Sequence, residues 1–113
     1  MRCAAVCLLA SVIRACVRKD IFVARSGGEE YAILLVETNL EQAAHLAERL
    51  RKSVEQLSIK YNSQILKVTL SIGLAEHNKD MTNYRQWLEA ADKALYRSKA
   101  GGRNRVTCYS PLD

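Results

Sequence analysis

The stretch "QILKVTLSIGLAE", residues 64 to 76, restricts the fold more than any other part of the chain. Side chains alternate across a strand, so Val68, Leu70, Ile72 and Leu74 share one face while Thr69, Ser71, Gly73 and Ala75 share the other. The first face is bulky and apolar; the second consists of small residues. Small residues let another backbone approach closely, and a packed helix is the expected neighbour, ahead of a ligand. The pattern predicts a buried strand in a layered α/β arrangement.

Helices flank it. "TNLEQAAHLAERLRKSVEQLS", residues 38 to 58, carries Leu40, Ala43, Ala47, Leu50, Val54 and Leu57 at steps of three and four, with Thr38 or Asn39 as cap. Glu48 and Lys52 form an exposed ion pair of small worth, and His45 falls off the stripe onto the surface. After the loop "HNKDMTNY", with Thr82 or Asn83 as cap, residues 84 to 102 read as a second amphipathic helix. Its inner side is expected to hold Tyr84, Trp87 or Leu88, Ala91, Leu95 and Ser98, with Trp87 and Tyr96 in the core. Gly101 and Gly102 stop it, and "NRVTCY" is a short closing strand.

The start supports two readings. "MRCAAVCLLASVIRAC" has an early Arg, an apolar stretch and a small residue before Cys16, as a secretory or lipoprotein signal would. Val6, Leu9, Ile13 and Cys16 also recur at helical steps, which describes a buried helix. No apolar run reaches the roughly 18 residues of a membrane span. The four cysteines, Cys3, Cys7, Cys16 and Cys108, lack paired ligand spacing with His45 or His77, so buried free thiols in a reducing compartment are expected rather than a metal site.

Between "DIFVAR" and "EYAILLV" lies Ser26-Gly27-Gly28-Glu29, which reads as a hairpin turn because a Gly-Gly pair accepts positive φ. The second strand is apolar on both faces and is expected to be central, with helices on each side. Neighbouring strand residues face opposite sides, so Glu29 and Glu30 cannot both serve one site unless the turn distorts. One carboxylate at the turn suits Mg²⁺, which takes one or two carboxylates alongside water and phosphate oxygens. The glycines leave room for phosphate at the backbone N–H groups. A solvent-exposed hairpin with merely soluble glutamates is equally consistent with the spacing.

Lys and Arg outnumber Asp and Glu by 17 to 12, and the excess gathers between Arg85 and Arg105. Lys99 and Arg103, near the end of the last helix, suit a triphosphate; complementing the helix dipole is the simpler role. The stretch lacks a stacking aromatic set, so no nucleic-acid partner is expected.

These segments together resemble the diguanylate cyclase (GGDEF) domain family. "RSGGEEY" is similar to the GG(D/E)EF signature, and "VTLSIGLAE" and "AADKALYRSKAGGRNRV" to the family's later strand, last helix and closing strand. "ASVIRACVRKD" resembles the helix before the signature, which favours a domain helix at residues 3 to 17 over a signal. The resemblance spans nearly all of residues 1–113 as a single, partial domain. It implies a nucleotidyl-cyclase or polymerase-palm-like sheet flanked by helices, in the order α-β-β-α-β-α-β.

The family joins two GTP into cyclic di-GMP by metal-dependent phosphoryl transfer, one GTP on each subunit of a homodimer, in bacterial cytoplasmic signalling. By position, Glu29 would be the ligand to Mg²⁺ or Mn²⁺, and Glu30 would support the active-site edge. Gly27 and Gly28 would line the phosphate path, and Lys99 and Arg103 would hold the β- and γ-phosphates. Tyr31 replaces the usual Phe.

Two departures matter. The family's first strand and helix, with a second metal carboxylate and guanine-reading Asn and Asp, have no counterpart in these residues. The chain alone is therefore expected to bind metal weakly and to be inactive, or to act as a non-catalytic module that binds GTP, cyclic di-GMP or a protein. The inhibitory Arg-x-x-Asp motif is also degenerate: Arg18 is in place, but Asp20 stands one residue early and Ile21 occupies the Asp position.

Overall fold

The computed structural model of the chain describes residues 5–17, 22–25 and 30–110. Among them the elements run β1 (Ala5–Val17), β2 (Phe22–Arg25), β3 (Glu30–Val36), α1 (Leu40–Glu55), β4 (Ser58–Tyr61), β5 (Gln64–Glu76), α2 (Tyr84–Ala100) and β6 (Val106–Cys108). One mixed sheet holds the strands. β1 and β5 lie side by side at its centre, antiparallel, in register from Val6–Glu76 to Val17–Ile65.

The outer edge of β1 is shared: Ala5 to Ser11 pair with β3, and Arg14 to Val17 with β2. The outer edge of β5 is shared likewise. Its first part pairs antiparallel with β4, and Ile72 to Leu74 pair in parallel with β6. No helix among the described residues is long and apolar enough to cross a membrane.

β5 behaves as its pattern predicts. Ile72 and Leu74 are fully buried with Val6, Ala43 and Ala47, so its bulky face packs under α1. Ser71 and Ala75 are also fully buried, and the small-residue face carries α2. The approach there is close. A Cβ on Gly73 would lie 2.2 Å from Leu95 N and 2.5 Å from Ala91 O, both α2 backbone. Glycine is required by contact, not by φ. Ser98, fully buried one turn on, donates its hydroxyl to Ile72 O at 2.8 Å and lies 2.7 Å from Thr107 Oγ1, which pins the end of α2 to β5 and β6.

The caps explain where the helices begin. Asn39 Oδ1 accepts from Gln42 N at 2.8 Å while Gln42 Oε1 accepts from Asn39 N, a reciprocal capping box. Glu76 Oε2 accepts from Leu40 N at 3.1 Å, tying the end of β5 to the first turn of α1. Asn83 caps α2 by accepting from Gln86 N.

Several expectations are corrected. Residues 5–17 form strand β1, not a helix. Their apolar residues are dense enough to satisfy either period, and the long edge of β5 supplies backbone partners from Val6 to Val17. The two strands around the signature do not pair with each other among the described residues. Both are antiparallel to β1, so they run the same way along one of its edges, Arg25 opposite Arg14 and Glu30 opposite Ser11.

β3 is consequently not central. It is exposed except at Leu35, with Leu34 59% and Val36 70% exposed. The first predicted helix ends early, at Glu55. Ser58 onward becomes β4 because Asn62 (φ 49°) and Ser63 (φ 65°) accept the left-handed angles of a two-residue hairpin turn. Trp87 packs against the core and donates its indole N–H to Ala75 O at 2.7 Å, but Tyr96 and Tyr84 are exposed. Leu50, expected on the inner stripe of α1, is also exposed, while His45 lies on the surface as its position predicts.

Candidate functional site

The site is assembled from the start of β3 and the end of α2. Burial of Ala91, Ala94, Leu95 and Ser98 fixes the roll of α2, and Lys99 follows directly after the anchored Ser98. Glu30 is placed by its register on β1, opposite Ser11. These two placements bring Lys99 Nζ to 2.9 Å from Glu30 Oε2. The residues are 69 positions apart in the chain. The Lys99 side chain is 26% exposed and that of Glu30 50%, so the pair sits at the rim of the protein and meets solvent.

α2 ends at Gly101, whose N–H donates to Arg97 O at 2.9 Å. Gly102 follows at φ 120°, and then two non-glycine residues, Arg103 (φ 65°) and Asn104 (φ 50°), occupy the left-handed region in succession. Such angles cost a side-chain-bearing residue energy and persist where neighbours over-determine them. Here Arg103 N donates to Ser98 O at 2.9 Å and Asn104 N to Ser71 Oγ at 3.0 Å. Among the described residues the Arg103 guanidinium has no ion-pair partner.

Beside this turn lies a cluster that the sequence reading missed. Arg51 of α1, with only 13% of its side chain exposed, donates Nε and Nη2 to the two carboxylate oxygens of Glu48 at 2.8 and 2.7 Å. Its Nη1 donates to Asn104 Oδ1 at 2.9 Å and lies 3.6 Å from Glu55 Oε1, and Asn104 Nδ2 donates to Glu55 Oε2. The Arg51 hydrogen bonds hold the Glu48 carboxyl below its usual value of 4.5, and the same contacts push the guanidinium further up. Lys52, the partner expected for Glu48, is only at the edge of contact, 4.0 Å away. One signal was available: Ala43, Ala47 and Arg51 lie four apart, so a charge occupies the next place on a buried stripe of small residues.

Of the residues singled out from sequence, Glu30, Lys99 and Arg103 are described, and the first two are in contact. Glu29, Gly27 and Gly28, together with Arg18 and Asp20, lie outside the described residues. Among the described residues no three His, Cys, Asp or Glu side chains gather into a metal-binding set. Of the two signature glutamates Glu30 is the one described, and it offers a half-exposed carboxylate, the hard oxygen donor that Mg²⁺ or Mn²⁺ prefers. A separate groove, lined by Asp80, Glu89, Lys93 and Tyr109 near the start of α2, contains none of these residues.

The model for the diguanylate cyclase GGDEF domain matches residues 4–105, nearly the whole chain. The chain belongs to the GGDEF-domain family. Diguanylate cyclase A of Treponema denticola is 46% identical over 99 residues, covering 88% of this chain and 27% of that protein. Diguanylate cyclase DgcM of Escherichia coli K12 is 43% identical over 100 residues, with 88% and 23% covered. The chain thus spans about a quarter of the length of the curated relatives it matches.

Among solved structures, the GGDEF domain of DgcB from Caulobacter crescentus, in complex with c-di-GMP, superimposes with a TM-score of 0.72 at 27% identity, covering 93% of this chain and 78% of that one. The palm-like GGDEF fold therefore holds for this chain, even though its first segment forms a strand.

Proposed function

We propose that this GGDEF domain binds the triphosphate of GTP together with a divalent metal, as the phosphate-holding part of a diguanylate cyclase that joins two GTP into cyclic di-GMP and two pyrophosphates. The observation that carries the reading is the 2.9 Å contact between Lys99 and Glu30. It brings a cation from α2 to the carboxylate of the signature strand, the two kinds of group that polyphosphate and its metal require.

In this reading Lys99 and Arg103 neutralise the β- and γ-phosphates, Arg103 with a guanidinium that no carboxylate engages among the described residues. Gly27 and Gly28 would leave space for the phosphate chain, and Glu29 would hold Mg²⁺ or Mn²⁺ with Glu30 supporting it at the edge of the site. The metal would supply charge neutralisation at the phosphates. The chemistry is attack of a 3′-hydroxyl on an α-phosphate, with pyrophosphate leaving and the hydroxyl proton passing to solvent or base. It needs two GTP facing each other, which two copies of the domain would provide.

Residues 1–113 carry only one side of such a centre, so we expect them to bind GTP weakly without cyclising it. The degenerate Arg18 and Asp20 pair is not expected to hold cyclic di-GMP tightly. Titration calorimetry with GTP and Mg²⁺, followed by chromatography of the incubated mixture, tests both parts. Heat of binding that Lys99→Ala removes supports the reading, and no heat at millimolar GTP rejects it. Cyclic di-GMP in the mixture, lost in Glu29→Ala, would overturn the expected inactivity while upholding the site.

A further inference from the structure

We infer that Arg51, acting through Asn104, is a positioning residue that sets the conformation of the Arg103 turn and so the phosphate affinity of the site; this rests on the triphosphate reading above. The argument begins with the backbone. Arg103 and Asn104 are consecutive left-handed residues directly after Gly102, and a turn of that kind relaxes unless side chains hold it.

Three ties are present. Ser98 O accepts from Arg103 N and Ser71 Oγ accepts from Asn104 N, which fixes the turn to α2 and to β5. The third reaches the opposite layer: both ends of the Asn104 amide are engaged, its oxygen by Arg51 and its nitrogen by Glu55. Arg51 is itself immobilised by a two-point pairing with Glu48 on the preceding turn of α1.

The arrangement is more than surface charge pairing. A planar guanidinium presents donors in a fixed fork, so with Nε and Nη2 on Glu48 its plane is set and Nη1 is left facing Asn104 and Glu55. Lysine has no such fork, so its single ammonium cannot reproduce the two-point pairing with Glu48 that fixes this direction. α1 and α2 lie on opposite faces of β5, and α1 reaches the turn that follows α2 through Arg51 and Glu55, so the geometry of Arg103 depends on where α1 sits. Arg51 need not touch the nucleotide.

The test uses the full chain with Arg51→Ala, Arg51→Lys and Asn104→Gly, the last keeping the backbone freedom and losing only the side-chain tie. Amide hydrogen exchange of residues 102–105 should speed up by roughly tenfold in each, about one hydrogen bond's worth of local opening, with the middle of α2 unchanged. Titration with GTP and with inorganic tripolyphosphate should show the same three- to tenfold loss of affinity for both, roughly, because the defect lies at the phosphates and not at the base. Arg51→Lys should fail to rescue either readout.

Unchanged exchange at residues 102–105 would overturn the inference, and so would a loosened turn with unaltered affinity, which would make the cluster merely structural. A parent chain that binds neither GTP nor tripolyphosphate would reject the triphosphate reading and the inference with it. A parent that binds while the variants bind equally well rejects the inference alone.

Discussion

Lys99 Nζ and Glu30 Oε2, 2.9 Å apart, join the last turn of α2 to the first residue of β3. The contact occupies the lysine that the triphosphate reading assigns to phosphate. In that reading a nucleotide entering the site would compete with Glu30 for Lys99, and a metal held at the signature would compete with Lys99 for Glu30.

This competition has a testable sign. Without divalent metal, Glu30→Gln should bind tripolyphosphate more tightly than the parent, by roughly two- to fivefold, because a partly exposed pair holds the lysine only weakly. With Mg²⁺ present the same variant should bind GTP less tightly. Lys99→Ala should lower affinity in both conditions while changing stability by less than about 1 kcal/mol. Calorimetric titrations with and without EDTA, beside urea unfolding, separate these outcomes.

Gly73→Ala should be among the most damaging small changes in the chain. The added methyl would meet Leu95 N at 2.2 Å and Ala91 O at 2.5 Å, and backbone cannot swing aside as a flexible side chain can. α2 would have to lift from β5, at a cost of about 3 kcal/mol or more in urea unfolding. Because α2 carries Lys99, GTP affinity should fall with it.

Ser98→Ala removes the hydroxyl that bonds Ile72 O and meets Thr107 Oγ1 in a fully buried place. The loss should be about 1–2 kcal/mol by chemical denaturation, since a buried polar partner is left behind. Pairing it with Thr107→Val should cost less than the sum of the two single changes, as a double-mutant cycle would reveal.

The Glu48 carboxyl is held low in the folded protein chiefly by hydrogen bonds from Arg51. A depressed folded value means that this stabilisation is fully present above the ordinary value of 4.5 and is lost as pH falls through the lowered folded-state value. Urea unfolding between about pH 6 and pH 3 should show stability declining with acid, as linkage requires. Arg51→Ala should flatten that decline, and Glu48→Gln should do the same. Glu48 is partly exposed, so 0.5 M salt should reduce the effect without removing it.

What the sequence determined by itself is local and periodic. The two faces of β5 were legible because alternation and residue size directly state what can pack on each side, and Gly73 marks where α2 comes closest. The helix caps were legible to within one residue, Thr38 or Asn39 and Thr82 or Asn83, because such side chains bond within three residues of themselves, and the structure picks Asn39 and Asn83. The signature pointed to Glu30, and the end of α2 to Lys99 and Arg103, but as separate segments.

Tertiary structure decided the rest. Residues 5–17 carry apolar side chains densely enough for either a helix or a strand, and the open edge of β5 selects the strand. Ser58–Tyr61 leaves the helical pattern because Asn62 and Ser63 close a hairpin onto that same strand. β3 looks central from its composition yet lies exposed, since pairing depends on which neighbours are free and not on apolarity alone. The contacts of Lys99 with Glu30 and of Arg51 with Asn104 join residues far apart in the chain. No local pattern records such distances, because they are set by the register of β1 against β5 and by how α1 and α2 settle on its two faces.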